Sequence, residues 1–271
     1  MEAKKKKKSS NGLVNTLIVL LLLVGLVLVF NEPVRNFFIG LNSGLYQIHN
    51  VSRTEIVKNQ EKQGNFDFAS VKAVSFNDVV NYQFGTPPLP VIGQIVMPDV
   101  GLSLPIFKGV DSDALMYGAG TMKANQVMGQ GNYALASHNV TGYDSDLSLL
   151  FTPLEHAKTG MKIYTTDKEN IYEYQVSSVT VVNPDAVSVI DDKPGKSEIT
   201  LVTCADPEAR QRIIVKGDFV GKGPYDGSQA QAETKKVFSE QHKELNLNAQ
   251  PLKTIVELLN YANKYLPVYK M

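Results

Sequence analysis

The chain has 271 residues, 43% of them apolar and 20% charged, with 27 basic and 27 acidic side chains. These are the proportions of a folded protein, not a disordered one. Lys4 to Lys8 and Glu2 put +4 on residues 1–12, which leaves −4 on the rest, so the body carries no basic footprint for nucleic acid. A single cysteine cannot close an internal disulfide, and with four scattered histidines it makes no recognisable zinc site.

The lysines precede an apolar stretch, residues 13–30, at the short end of what spans a bilayer. A cleaved signal peptide is the competing reading. It would be followed by a small-x-small cleavage site, and Asn31-Glu32-Pro33-Val34-Arg35 follows instead. The expectation is an uncleaved signal-anchor: residues 1–12 cytoplasmic, 13–30 in the membrane, and the remainder outside by the positive-inside rule. Residues 31–65 read as an extracellular stalk, helical in part. Val34, Phe37, Phe38, Leu41, Leu45 and Ile48 recur there at helical spacing, and the polar end, 55–65, reads as a linker.

A folded domain is expected over 66–223. Phe68, Val71, Val74, Val79 and Val80 suggest a short amphipathic helix at its start. β-type runs follow at 91–97, 102–107, 131–136, 161–165, 171–182, 198–203 and 212–220, each bounded by turn residues. Seven or eight short strands so spaced indicate an all-β sandwich or barrel, with short helices at 113–116 and 147–151 between them. Residues 224–271 form an extension of unknown role. Leu252, Ile255, Val256, Leu259 and Ala262 share one face of an expected helix over 251–266. A helix packed on the domain, a tail, and a membrane or partner contact all stay open for it.

The chemistry gathers around Cys204. It ends a β-branched run, turn material begins at Ala205-Asp206, and a second apolar run opens with Arg212. Two antiparallel strands joined by residues 205–211 would set Cys204 opposite Arg212, with Cβ atoms roughly 5 Å apart. A cation there favours the thiolate. The plain alternative is a lone cysteine buried as a small hydrophobe. Cysteine catalysis also needs a proton donor for the leaving amine. His49 lies in the stalk, His242 in the polar extension and His156 in a polar stretch. His138 stands at a strand end, as Cys204 does.

Thr200-Leu201-Val202-Thr203-Cys204 resembles the TLxTC signature of the sortases. Ala134-Leu135-Ala136-Ser137-His138-Asn139 and Arg212-Ile213-Ile214-Val215-Lys216-Gly217 resemble the family's other two landmarks, in the same order and at fitting spacing. The anchor and stalk look like class A, the housekeeping sortases of Gram-positive bacteria. The resemblance implies an eight-stranded β-barrel and a transpeptidase that cuts LPxTG sorting signals of surface proteins between Thr and Gly. It implies Cys204 as nucleophile, His138 as general acid and then base, and Arg212 as substrate and oxyanion contact. A lipid II amine would resolve the thioacyl-enzyme. Ala136, Thr203, Val187, Val189 and Ile190 are carried as candidates for the sorting-signal groove, although strand alternation turns Thr203 away from Cys204 and favours structural support. Some class A members bind calcium near this loop. Asp185, Asp191 and Asp192 are present, yet a solvated turn is the preferred reading, and no metal or other cofactor is expected. A peptidase that hydrolyses the same intermediate and a non-catalytic wall-binding β-domain are the alternatives.

Overall fold

A computed structural model describes residues 11–29, 31–68, 71, 78–79, 82, 89–140, 149–206 and 209–225. The β-branched runs form eight strands: β1 Val91–Met97, β2 Leu102–Phe107, β3 Ala119–Thr121, β4 Asn132–Ala136, β5 Lys162–Thr166, β6 Asn170–Val182, β7 Glu198–Cys204 and β8 Arg212–Pro224. They close into a barrel in the order β1-β2-β3-β4-β7-β8-β6-β5, which resolves the choice between sandwich and barrel. Closure pairs every strand on both sides and removes the exposed sheet edge. β4 and β7 run parallel, while β8 is antiparallel to both β7 and β6.

One strand lies outside the sequence expectation. β3 is only three residues, Ala-Gly-Thr, too short for a period-2 pattern, yet it links β2 (parallel) to β4 (antiparallel). The helix expected at 113–116 is present as Ser112–Tyr117. The one expected at 147–151 is corrected. Leu150 bridges Asn139 in antiparallel fashion, and the helical turn is the 3-10 segment Thr152–His156, with Pro153 in its first turn. Most of the expected helix at 68–80, and the extension beyond Tyr225, lie outside the described residues.

Residues 31–65, the expected stalk, fold as α2 Asn31–Leu45, a 3-10 turn Ile48–Asn50 and α3 Arg53–Glu61. Ser52 caps α3, its Oγ accepting from the Glu55 N–H at 3.2 Å. Ile39, Ile48, Val51 and Ile56 belong to the same apolar core as the barrel residues Ile95, Leu104 and Leu135. Hydrogen bonds fasten the segment down. Asn59 Nδ2 donates to the Val91 carbonyl at 2.9 Å, Lys168 Nζ to those of Ile48 (3.1 Å) and Val51 (2.6 Å), and Lys108 Nζ to that of Gln60 (2.6 Å). Arg53 pairs with Glu169. The composition of α3 misleads because only Ile56 and Asn59 are buried on it.

The apolar run forms α1, Asn11–Val29. Val14 and every residue from 17 to 24 are exposed, on all sides of the helix. Among the described residues, no helix is long and apolar enough to cross a membrane.

Candidate active site

The sheet register brings the three landmark residues to one end of the barrel. Cys204 is directly opposite Arg212 in the β7–β8 ladder, as the hairpin reading requires. In the parallel β4–β7 ladder Ala136 is level with Val202, so His138, two residues on, comes level with Cys204. Alternation sorts the side chains. Ile199 and Leu201 of β7 point into the barrel core. Thr200, Val202 and Cys204 therefore face outward, beside Ala134 and Ala136 of β4 and Ile214 and Arg212 of β8. This face leads to the thiol and is largely covered, with Thr200, Ala134 and Ile214 within 2% exposure and Val202 at 9%. Val202 and Ile214 were not singled out in the sequence, although counting by twos from Cys204 and Arg212 finds both.

Thr203 points the other way. It is 2% exposed, and its Oγ1 donates to the Ser137 carbonyl at 2.9 Å. Its candidacy for the groove is corrected: it braces β7 against the segment that carries His138. Ser137 adds to the brace, its N–H donating to the Val202 carbonyl at 3.3 Å and its Oγ to that of Gly118 at 2.7 Å. Cys204 is half-buried and unpaired with any other sulfur.

His138 is held by its backbone, its carbonyl accepting from Phe151 N–H at 3.0 Å. Its Nε2 is buried and has no hydrogen-bond partner among the described residues. Desolvation disfavours the imidazolium and lowers the pKa to about 4, so the resting imidazole is neutral. Arg212 lies along the β7–β8 loop. Its Nη1 donates to the carbonyls of Ala209 (2.7 Å) and Gln211 (3.1 Å). Ala209 holds a left-handed φ of 56°. Asp206 shapes the same loop, accepting from the N–H groups of Arg210 (3.2 Å) and Gln211 (3.3 Å).

A thiol, a desolvated imidazole and a guanidinium at one rim can carry out acyl transfer through sulfur. A sortase-domain pattern matches residues 95–220. Over 232 residues the chain is 51% identical to Sortase A of Streptococcus agalactiae, a match covering 85% of this chain and 93% of that protein. The chain belongs to the sortase family. Sortase A of Listeria monocytogenes is 38% identical over 206 residues, covering 76% of this chain and 90% of its own. The crystal structure of sortase C-3 from Streptococcus pneumoniae matches with a TM-score of 0.54 at 18% identity, over 73% of this chain and 98% of that one, a likeness of fold alone. These relatives place the sortase in class A, with the activity of a cysteine transpeptidase.

In this sortase the loop between β6 and β7 carries the other groove candidates on a 3-10 turn, Val187–Ile190. Val187 is 70% exposed, while Val189 and Ile190 are half-buried. The turn is fixed to the start of β4. The Val189 carbonyl accepts from Asn132 Nδ2 (3.0 Å) and Lys216 Nζ (2.7 Å). Six residues of extended chain, roughly 20 Å, separate Asn132 from His138, so Val189 and Ala136 mark opposite ends of the surface.

Glu198, 1% exposed, anchors the loop's other end through Lys196 (2.9 Å), Lys216 (3.4 Å) and Lys193 (3.6 Å). Burial pushes its pKa up, but the lysines outweigh burial and hold it below the ordinary value. Asp192 is committed to Lys123 Nζ at 2.6 Å and to the Asn132 N–H at 2.7 Å, which lower its pKa in that order. Asp185 and Asp191 are exposed. Among the described residues no three His, Cys, Asp or Glu side chains cluster as a metal site.

Proposed function

We propose that this sortase cleaves LPxTG-type sorting signals between Thr and Gly and transfers the new carboxyl terminus to an amine of the cell-wall precursor lipid II. The observation that carries the site assignment is the pair of registers, Cys204 opposite Arg212 and Ala136 level with Val202, which converge on one rim. Cys204 Sγ attacks the threonine carbonyl. His138 Nε2, without a partner among the described residues in the resting site, takes the Cys204 thiol proton as sulfur attacks, gives it to the leaving glycine amine, and later takes one from the incoming amine. Arg212 turns its guanidinium to the substrate and to the developing oxyanion. The signal's upstream residues run along the outer face of β4 and β7 toward Val187, Val189 and Ile190.

The same reading makes α1 an anchor with the barrel outside the cell. A helix apolar on every side has no aqueous face to present. Its 19 residues rise about 28 Å, just under the ~30 Å hydrocarbon core. Both substrates, a secreted protein held at the membrane and a lipid-linked amine, arrive at that surface.

The test uses the full chain in detergent with an LPxTG peptide, with and without triglycine, and products read by mass spectrometry. Cleavage after threonine with transfer to triglycine, abolished in Cys204→Ala, is expected. Release of the free acid alone, whatever amine is offered, would make the protein a peptidase. An intact peptide and an unmodified thiol would refute the reading.

A further inference from the structure

Asn139 follows His138 directly, and the transpeptidase reading gives it no part. Its Nδ2 donates to two acceptors, the Cys204 carbonyl at 2.9 Å and Glu155 Oε1 at 2.7 Å. Both partners are oxygens without a proton to give, so the amide can face only one way, nitrogen toward them and oxygen away. Both Nδ2 protons are then engaged. Oδ1, which can only accept, is buried and has no hydrogen-bond partner among the described residues. Next to it in sequence, His138 Nε2 is in the same condition. Buried polar atoms in native proteins are nearly always paired. Here two are open on consecutive residues, and one of those residues is bonded to the nucleophile's own carbonyl. A ligand that fills Asn139 Oδ1 must bring an N–H or O–H donor, while His138 Nε2 accepts or donates according to the tautomer of the neutral ring.

We propose that Asn139 is a substrate-binding residue for the amine: its Oδ1 accepts a hydrogen bond from the nitrogen that departs on acylation and from the nitrogen that attacks on transfer. The proposal rests on the transpeptidase reading. A primary amine has protons for both open atoms, one for His138 Nε2 and one for Asn139 Oδ1. In the transfer step the amine nitrogen bonds to the thioacyl carbon and the carbon–sulfur bond breaks. Sulfur keeps the electron pair, and the proton lost by nitrogen goes to His138 Nε2. Asn139 stays neutral throughout. It fixes where the nitrogen sits, and Glu155, from the 3-10 turn Thr152–His156, fixes where the amide sits. By microscopic reversibility one acceptor serves both the leaving and the entering nitrogen. A fixed acceptor at that point also favours an oriented amine over freely tumbling water.

The experiment uses the full chain in detergent, an LPxTG peptide and triglycine, and measures the triglycine KM, the ratio of hydrolysis to transfer, and the rate of thioacyl formation. Asn139→Ala is expected to raise the triglycine KM about tenfold, the worth of one buried hydrogen bond, and to shift product toward hydrolysis. Asn139→Asp keeps an acceptor oxygen while losing both Nδ2 bonds, to the Cys204 carbonyl and to Glu155. Its triglycine KM is expected to rise by less than that of Asn139→Ala, since the acceptor stays although its tethers go, even if acylation slows as much in both. A merely structural Asn139 would slow acylation equally in both variants and leave the triglycine KM and product ratio at wild-type values, and that result overturns the proposal. If Asn139→Ala does not fold, Glu155→Ala replaces it. The acceptor then remains but one of its two tethers is gone. A raised triglycine KM supports the proposal and an unchanged one overturns it. Wild-type protein that forms no thioacyl adduct would instead sink the transpeptidase reading itself.

Discussion

Neutral, largely desolvated His138 ties the site to the protein's stability through pH. Its folded pKa of about 4 lies below the ordinary 6.5. Above pH 6.5 neither the folded nor the unfolded chain protonates it, and its contribution is complete. As pH falls from 6.5 toward 4, only the unfolded chain gains the proton, so stability is lost across that window. The full loss is roughly 3 kcal/mol. Thermal melts from pH 7 to pH 4 should therefore fall less steeply for His138→Gln than for wild type, and parallel curves would contradict the burial argument. Arg212→Lys tests a second side chain. Lysine keeps the charge but not the planar guanidinium, whose Nη1 now donates to two loop carbonyls, so kcat/KM should drop about 100-fold with little change in melting temperature. At this scale the chain was readable wherever neighbours in sequence decide the contact: the seven-residue loop 205–211 sets Cys204 against Arg212, and the alternation that turns Thr203 inward needs only a count. Asn139 was not readable, because its partners Cys204 and Glu155 lie 65 and 16 positions away.

The β6–β7 loop shows how an element without regular structure is held in place. Lys216, on β8 opposite Thr200, reaches both the Val189 carbonyl and Glu198. Lys216→Met would leave that carbonyl with only Asn132 and give Glu198 one cation fewer. The expected outcome is a several-fold higher KM for the LPxTG peptide and a loss of about 1–2 kcal/mol in denaturant unfolding. Gly131 makes a sharper case. Its φ is +54°, and a Cβ there would lie 2.7 Å from Asp192 Oδ1. Gly131→Ala should displace Asp192 from Asn132 and Lys123, and should raise the same KM while lowering the melting temperature. Strand runs rich in Val, Ile and Thr were legible because their two-residue period survives burial on one face. β3 was not, since three residues hold no period. Neither was α3, because a helix that buries two side chains of nine looks polar along its whole length.

At the scale of the molecule, the barrel and the helices before it share one core. A chain beginning at residue 66, where composition alone puts the domain boundary, would lack Ile39, Ile48, Val51 and Ile56, all within 8% exposure. Removing a single such side chain costs about 2–5 kcal/mol. That chain should melt at least about 10 °C lower than one beginning at residue 31, which should keep full activity on a soluble peptide. Calorimetry on the two truncations decides it.

The fastened segment also sets how far the enzyme can reach. Fully extended, residues 31–65 would form a leash of roughly 120 Å, and a catalytic rim on such a leash would sweep a large hemisphere above the lipid. Bound to β1, Lys108 and Lys168, that length is taken up. On the proposed anchoring through α1, the rim would work at a fixed height, in a thin layer next to the lipid.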